Sequence, residues 1–246
     1  MTLERELVAD SRRNTALRRR FFFFARRAID LAVSITLLIV LAPLFLIIAV
    51  MIQLDSPGPA VFVQKRVGGR PRSPSDECIE GIRTFRFYKF RSMYRDATSD
   101  RHRQFIEAYM ANDHGAMAAL QDGDVTEDNK YKMTGDPRVT RVGRFLRKTS
   151  LDELPQLWNV VKGDMSLVGP RPAIPYEVEM YKPWQWKRLE AMPGLTGLWQ
   201  VTRRSASTFD EMVEQDIWYV EHQSLWLYLK ILLMTPIAIL TGKGAE

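Results

Sequence analysis

From Leu31 to Leu54 the chain carries no charged residue. These 24 residues would form a helix about 36 Å long, against a bilayer core of about 30 Å, so the pattern predicts a membrane segment. Pro43 divides it near the middle. One reading is a kinked spanning helix in which local adjustments re-satisfy the freed backbone groups. The other is a helix-break-helix that enters one leaflet and returns, each half reaching about 17 to 18 Å. Charge favours the second. Arg12, Arg13, Arg18, Arg19, Arg20, Arg26 and Arg27 precede the segment, and Lys65, Arg66, Arg70 and Arg72 follow it. The positive-inside rule places both flanks in the cytoplasm. The long polar lead and the lack of a small-residue cleavage site argue against a removable signal peptide. Asp55-Ser56-Pro57-Gly58-Pro59 is a stop and turn where the chain should leave the membrane.

Past that turn, Ala60 to Lys65 and Thr84 to Arg91 are rich in Val, Phe and Tyr and predict two short strands joined by the loop Gly68 to Gly81. On a regular strand Phe85 and Phe87 share a face with Lys89 and Arg91, so that face turns from apolar to cationic. Two cations at alternate positions grip a phosphate, or simply end a solvated strand. Residues 95 to 135 are polar, acidic at Asp122, Asp124, Glu127 and Asp128, and helix-forming around Phe105 to Leu120, with no legible chemistry. Val139, Val142, Phe145 and Leu146 then form an apolar stripe flanked by Arg138, Arg141, Arg144, Arg147 and Lys148, an amphipathic helix. Its basic face is either a solvated surface or counter-charge for a pyrophosphate. Leu225 to Leu240 is apolar but interrupted by Lys230 and Pro236, and shorter than the roughly 20 residues of a span. It reads as a helix lying on a membrane or packed on the core. Pro183 to Arg188 and Trp218-Tyr219 mix aromatic and polar groups as interfacial belts do, although core packing of these rings is equally ordinary.

Composition narrows the function classes. At 246 residues the chain can bury a sizeable core. The single Cys78 rules out an intrachain disulfide, and no Cys/His set suggests structural zinc. His102, His114 and His222 give little support to a Ser/His triad. Lys+Arg 35 against Asp+Glu 29, net +6, suits phosphate-bearing partners or an anionic membrane face. A nucleic-acid binder would explain only that charge, and a non-catalytic membrane scaffold would leave the next motif without a reason.

That motif runs from Thr149 to Pro172 and contains the adjacent acids Asp152 and Glu153. Ser150 followed by Glu153 is a capping-box pattern, which puts Asp152 in the first turn of a helix and favours its ionised form. Pro155 complicates that cap, and a start at Asp152 stays open. The bland reading is that both acids merely serve the helix terminus. Neighbours on a helix point about 100° apart, so as reactive groups the two acids should take different roles. Gly169-Pro170-Arg171-Pro172 holds Arg171 in a rigid turn, suited to bidentate phosphate binding.

Residues Arg138 to Pro172, the run Lys89-Phe90-Arg91-Ser92-Met93 and the run Pro193 to Val201 together closely resemble the bacterial sugar transferase family, the monotopic polyprenyl-phosphate phosphoglycosyltransferases. The resemblance covers roughly residues 25 to 240. It implies an enzyme of the bacterial inner membrane that passes a sugar 1-phosphate from a nucleotide diphosphate-sugar to polyprenyl phosphate, initiating surface glycan or exopolysaccharide synthesis. Asp152 would be the nucleophile that expels a nucleotide such as UMP and a contact for Mg2+, and Glu153 would orient groups or handle protons. Lys89, Arg91, Arg147 and Arg171 are the expected phosphate-stabilising cations. The family has the same re-entrant topology, usually with Ser before the proline, where this chain has Ala42.

The expected fold is therefore mainly α with a small β-hairpin, a re-entrant membrane helix-break-helix and interfacial amphipathic helices. It divides into a basic arm (1–27), a membrane hairpin (28–59) and a cytoplasmic, membrane-associated catalytic domain (60–246). Partners are the nucleotide sugar, the polyprenyl phosphate and membrane lipid, not nucleic acid, and a homodimer stays open.

Overall fold

The computed structural model describes residues 2–69, 76–79, 81–96, 100–121, 133, 135–202 and 207–240, with side chains from residue 20. Arg70 and Arg72, and the acids between 122 and 128, lie outside the described residues. The fold is mainly helical, as expected, with a small antiparallel hairpin.

Helix α1 (Thr2–Val40) runs without interruption through residue 27, so the basic arm and the start of the apolar segment share one helix. It stops at Leu41, and α2 (Ala42–Asp55) begins with Pro43 in its first turn. Proline lacks the N–H that a helix interior needs but is tolerated at a helix start, so the chain breaks just before it. The two helices meet at a bend of 61°. Leu41 makes no side-chain capping bond, and Ala42 supplies no hydroxyl, so the proline alone marks the break. Among the described residues no single helix is long and apolar enough to cross a membrane; the bent pair passes on length and composition.

One stripe of α1 faces the rest of the molecule. Phe22, Arg26, Asp30 and Ser34 recur every fourth residue and are all buried. The Asp30 carboxylate accepts hydrogen bonds from Ser166 Oγ, Leu167 N and Tyr228 OH at 2.7–3.0 Å. Arg27 donates to the carbonyls of Val160 and Val161 at the end of a later helix. Its other faces leave large apolar side chains exposed, among them Phe24 and Ile39, and α2 likewise exposes Leu46, Ile47 and Leu54.

The hairpin is β1 (Val61–Val67) against β3 (Ile82–Phe90), antiparallel with Phe62 opposite Lys89, and the short β2 (Cys78–Ile79) pairs with the other edge of β3. Helices α3 (Asp100–Met110) and α4 (His114–Ala119) form a small satellite core around Phe105 and Met117. Helix α5 (Arg141–Lys148) is amphipathic as expected: Leu146 is buried against α2, whereas Phe145 is exposed. Arg138 lies before this helix and is tied to Asp136.

Then come a 3-10 turn (Leu151–Glu153), α6 (Gln156–Lys162), β4 (Ser166–Val168) and α7 (Pro175–Val178). A 3-10 helix (Pro183–Glu190), β5 (Gly194–Thr196), α8 (Leu198–Thr202), α9 (Phe209–Glu221) and α10 (Leu225–Leu240) complete the chain. Strands β4 and β5 form a second, parallel sheet that the sequence pattern does not announce. Their backbones approach closely where β4 ends. A Cβ on Gly194 would lie 2.0 Å from Gly169 N, so only glycine fits. Helix α10 buries Tyr228 and Ile231 in the main core beside α1 and exposes Trp226, Leu233 and Ile237 on another side.

Candidate active site

The Thr149–Pro155 segment folds differently from its capping-box reading. Ser150 adopts a left-handed conformation (φ 56°), closing α5 as its C-terminal turn, and its side chain caps nothing. An N-cap needs extended backbone, which Ser150 cannot adopt while ending the preceding helix. Leu151–Glu153 becomes an isolated 3-10 turn, and Pro155 caps the start of α6. The prolines of this region thus fall at an element boundary, which removes the difficulty that Pro155 posed to a longer helix.

This turn presents Asp152 and Glu153 to one solvent-open cleft of about 470 Å3. Arg66 comes from β1, Phe87 and Lys89 from β3, Gln156 from α6, and Arg171 and Pro172 from the loop after β4. Gly194 and Leu195 of β5 and Gln200 of α8 complete the lining. Asp152 is buried, Glu153 half-buried and Arg171 exposed. Two acids, two amides and three cations therefore converge on one volume. The tight turn opens both adjacent acids onto the same cleft.

The electrostatics of the cleft are set by burial opposed by charge. Burial pushes the Asp152 carboxyl up, while Lys89, Arg147 and Arg171 pull it down. Burial brings Lys89 down to about 8, with Arg147 and Arg66 acting the same way and Asp152 opposing. Arg66 is brought down to about 10, by burial first and then by Arg171. His102 of α3, with Nδ1 2.6 Å from the Tyr176 hydroxyl, falls to about 3 through burial and the charges of Arg171, Arg66 and Lys89. It stays neutral at physiological pH. Burial is the larger cause of all three downward shifts and the mutual repulsion of the clustered cations adds to it, an arrangement that a multiply charged anion would relieve.

The expected residues do not all meet here. Asp152, Glu153, Lys89 and Arg171 line the cleft, and Arg147 stands behind it, near enough to act on Asp152 and Lys89. Arg91 does not. Its guanidinium is buried and donates to the carbonyls of Pro57, Ser56 and Ile52, where it caps the end of α2. The strand ends at Phe90, so the alternation that placed Arg91 beside Lys89 stops one residue short. Arg91 thus lies outside the cleft that Lys89 lines, with its guanidinium engaged at the end of α2. Arg66, Gln156 and Gln200 were missed as site residues. Arg66 counted only as a flanking charge, although it stands in the same strand pair as Lys89; Gln200 lay in a recognised run without a role.

Among the described residues no group of three or more His, Cys, Asp or Glu side chains forms a ready metal cage. Mg2+ does not require one: it binds through one or two carboxylates and completes its shell with water and substrate phosphate. Asp152 and Glu153 in one cleft fit that donor chemistry.

A model of the bacterial sugar transferase family matches residues 21–242. The chain is 40% identical over 223 residues to the galactosyl transferase CpsE of Streptococcus agalactiae serotype III, covering 90% of this chain and 43% of that protein. It is 40% identical over 222 residues to the undecaprenyl-phosphate galactose phosphotransferase of Salmonella typhimurium, covering 90% and 42%. The exopolysaccharide production protein ExoY of Sinorhizobium fredii is 36% identical over 221 residues, covering 90% of this chain and 88% of ExoY. The chain thus spans less than half the length of the first two relatives and most of the third.

Proposed function

The chain belongs to the bacterial sugar transferase family, and from that premise we propose that it transfers a sugar 1-phosphate from a nucleotide diphosphate-sugar, a UDP-sugar by analogy with relatives named for UDP-galactose and UDP-glucose, to undecaprenyl phosphate. The product would begin a cell-surface polysaccharide. The observation that carries this reading is the convergence of Asp152 and Glu153 with Arg66, Lys89 and Arg171 on a single cleft.

In the first step an Asp152 carboxylate oxygen attacks the phosphorus that bears the sugar. An O–P bond forms as the bond to the bridging oxygen breaks, and UMP departs with that electron pair. In the second step an oxygen of the polyprenyl phosphate attacks the same phosphorus and displaces Asp152, restoring the carboxylate. Dividing the exchange lets two large anions use the site in turn. One pyrophosphate linkage replaces another, so the overall reaction is close to neutral in free energy.

The cations have a definite task in this scheme. Charge in phosphoryl transfer is spread over the equatorial oxygens, so Lys89, Arg66 and Arg171 share its stabilisation, while Arg147 helps keep Asp152 ionised against its burial. Glu153 orients the reacting groups or handles protons. Asp152, with Glu153, would hold Mg2+, which supplies Lewis-acid neutralisation of phosphate charge.

The bent pair α1–α2 is proposed as a re-entrant element that enters one leaflet from the cytoplasmic face of the inner membrane and returns. The 61° bend, the exposed apolar side chains of both helices and the basic flanks support it. The exposed apolar side of α10 would rest in the same interface.

The test of activity is UMP release from a panel of UDP-sugars by the detergent-solubilised protein with undecaprenyl phosphate. Turnover with one sugar, lost on EDTA treatment and restored by Mg2+, is expected; no UMP from any sugar would reject the reading, and full turnover without metal would remove the ion from it.

A further inference from the structure

Arg171 sits on an irregular loop between Gly169 and Ile174, yet three successive carbonyls of that loop are held in place. Ala173 O accepts from Val67 N at 2.8 Å, and Pro172 O from Arg66 Nη1 at 3.0 Å, both from β1. The third, Arg171 O, accepts from Arg188 Nη2 at 3.3 Å. Arg188 comes from the 3-10 helix Pro183–Glu190, does not line the cleft and is only 1% exposed.

Its two terminal nitrogens are also engaged inward. Nη2 pairs with Asp216 of α9 at 2.7 Å, and Nη1 meets the Tyr181 hydroxyl at 2.9 Å and Glu177 Oε1 at 3.5 Å. Tyr181 donates in turn to Glu177 at 2.8 Å, and Glu177 Oε2 accepts from Ile174 N at 3.4 Å. The chain of contacts therefore leaves the loop at Arg171 and returns to it at Ile174. Burying one cation with two carboxylates carries a desolvation cost that apolar side chains of equal volume would avoid. Stability alone is a poor reason for such a cluster. A planar guanidinium with five donors does provide a rigid fork, which an apolar filler cannot.

We propose that Arg188, held by Asp216 and Glu177, is a positioning residue for diphosphate recognition: it locks the loop so that the Arg171 guanidinium meets the pyrophosphate already in place. This rests on the cleft being a nucleotide-diphosphate site. The lock lowers the ordering cost of binding and preserves the alignment on which charge stabilisation depends.

The experiment is a double-mutant cycle on the full chain in nanodiscs, with UDP as probe and its Kd read by calorimetry. Arg188→Lys keeps a cation opposite Asp216 but loses the fork. In the wild-type background it should raise Kd about tenfold; in the Arg171→Ala background it should change Kd by less than about twofold, because a group acting through Arg171 has nothing left to position. An equal fold-change in both backgrounds, or no change in the first, overturns the proposal. Should Arg188→Lys fail to fold, Asp216→Asn, which preserves volume and weakens the anchor of the fork, replaces it in the same cycle and is judged by the same ratio. Failure of the underlying reading looks different: wild-type protein that binds no UDP, or binding indifferent to Arg171→Ala, removes the diphosphate site and the positioning role with it.

Discussion

Lys89 is brought down to about 8 chiefly by burial in the wall of the cleft, so the ammonium present at pH 7 is lost as the pH rises through that value. If this charge stabilises the transferring phosphoryl group, kcat/KM should fall on the alkaline side with a midpoint about pH 8. Arg in its place stays protonated throughout, so Lys89→Arg, whatever its absolute rate, should lose that alkaline limb. A wild-type profile flat to about pH 9.5, or an unchanged limb in Lys89→Arg, would take Lys89 out of the reaction. Unfolding is not the confounder. A lysine whose folded pKa lies below its unfolded value of 10.5 gives up its proton first in the folded state, so between about 8 and 10.5 its contribution to stability rises with pH. At this scale the sequence was partly legible. Asp152-Glu153 stands out through the family resemblance of its motif, since spacing alone also allows both acids to serve a helix terminus. Arg91 falls outside the cleft because strand alternation cannot say where a strand ends, and Arg66 was not expected in it because a charge that satisfies a topology rule attracts no second explanation.

Among the elements, α1 carries a burden that its composition conceals. Its arginine-rich beginning and apolar end look like separate segments, but helix continuity depends on the absence of breakers, and the first proline is Pro43. The fastening of this helix is Asp30, whose carboxylate satisfies donors from β4 and α10. Asp30→Ala should cost on the order of 3 kcal/mol, because it strands buried donors, while Tyr228→Phe should cost about 1. Denaturant melts of the detergent-solubilised variants measure both; equal and negligible losses would show that apolar packing alone docks α1. The break before Pro43 and the hairpin were legible from proline chemistry and strand composition. The parallel β4–β5 pair was not, since strands of three residues have no period to read, and their close approach depends on Gly169 and Gly194, which look like ordinary turn residues. Capping boxes show the same limit: Ser150 and Glu153 fit the pattern and do not form it, whereas Thr208 and Glu211 exchange both bonds at the start of α9.

For the whole molecule, the arrangement places a cleft of three cations and two acids on a body whose α1, α2 and α10 expose apolar side chains. A re-entrant pair keeps both flanks on one side, so the exposed native Cys78 and a cysteine introduced at Arg20 should react with a membrane-impermeant maleimide from the cytoplasmic side only. Opposite-sided labelling would show that the pair spans. Pro43→Leu restores a backbone donor and a continuous apolar helix, and should convert the first pattern into the second. The function claimed for this body depends on covalent chemistry at one carboxylate. The most direct measurement is therefore mass spectrometry of the protein mixed with the UDP-sugar that supports its turnover, in the absence of any polyprenyl phosphate. A burst of UMP no larger than the enzyme present, with a sugar phosphate attached at Asp152 and neither seen in Asp152→Asn, is the result this account requires; an adduct on Glu153, or undiminished turnover in Asp152→Asn, would contradict it.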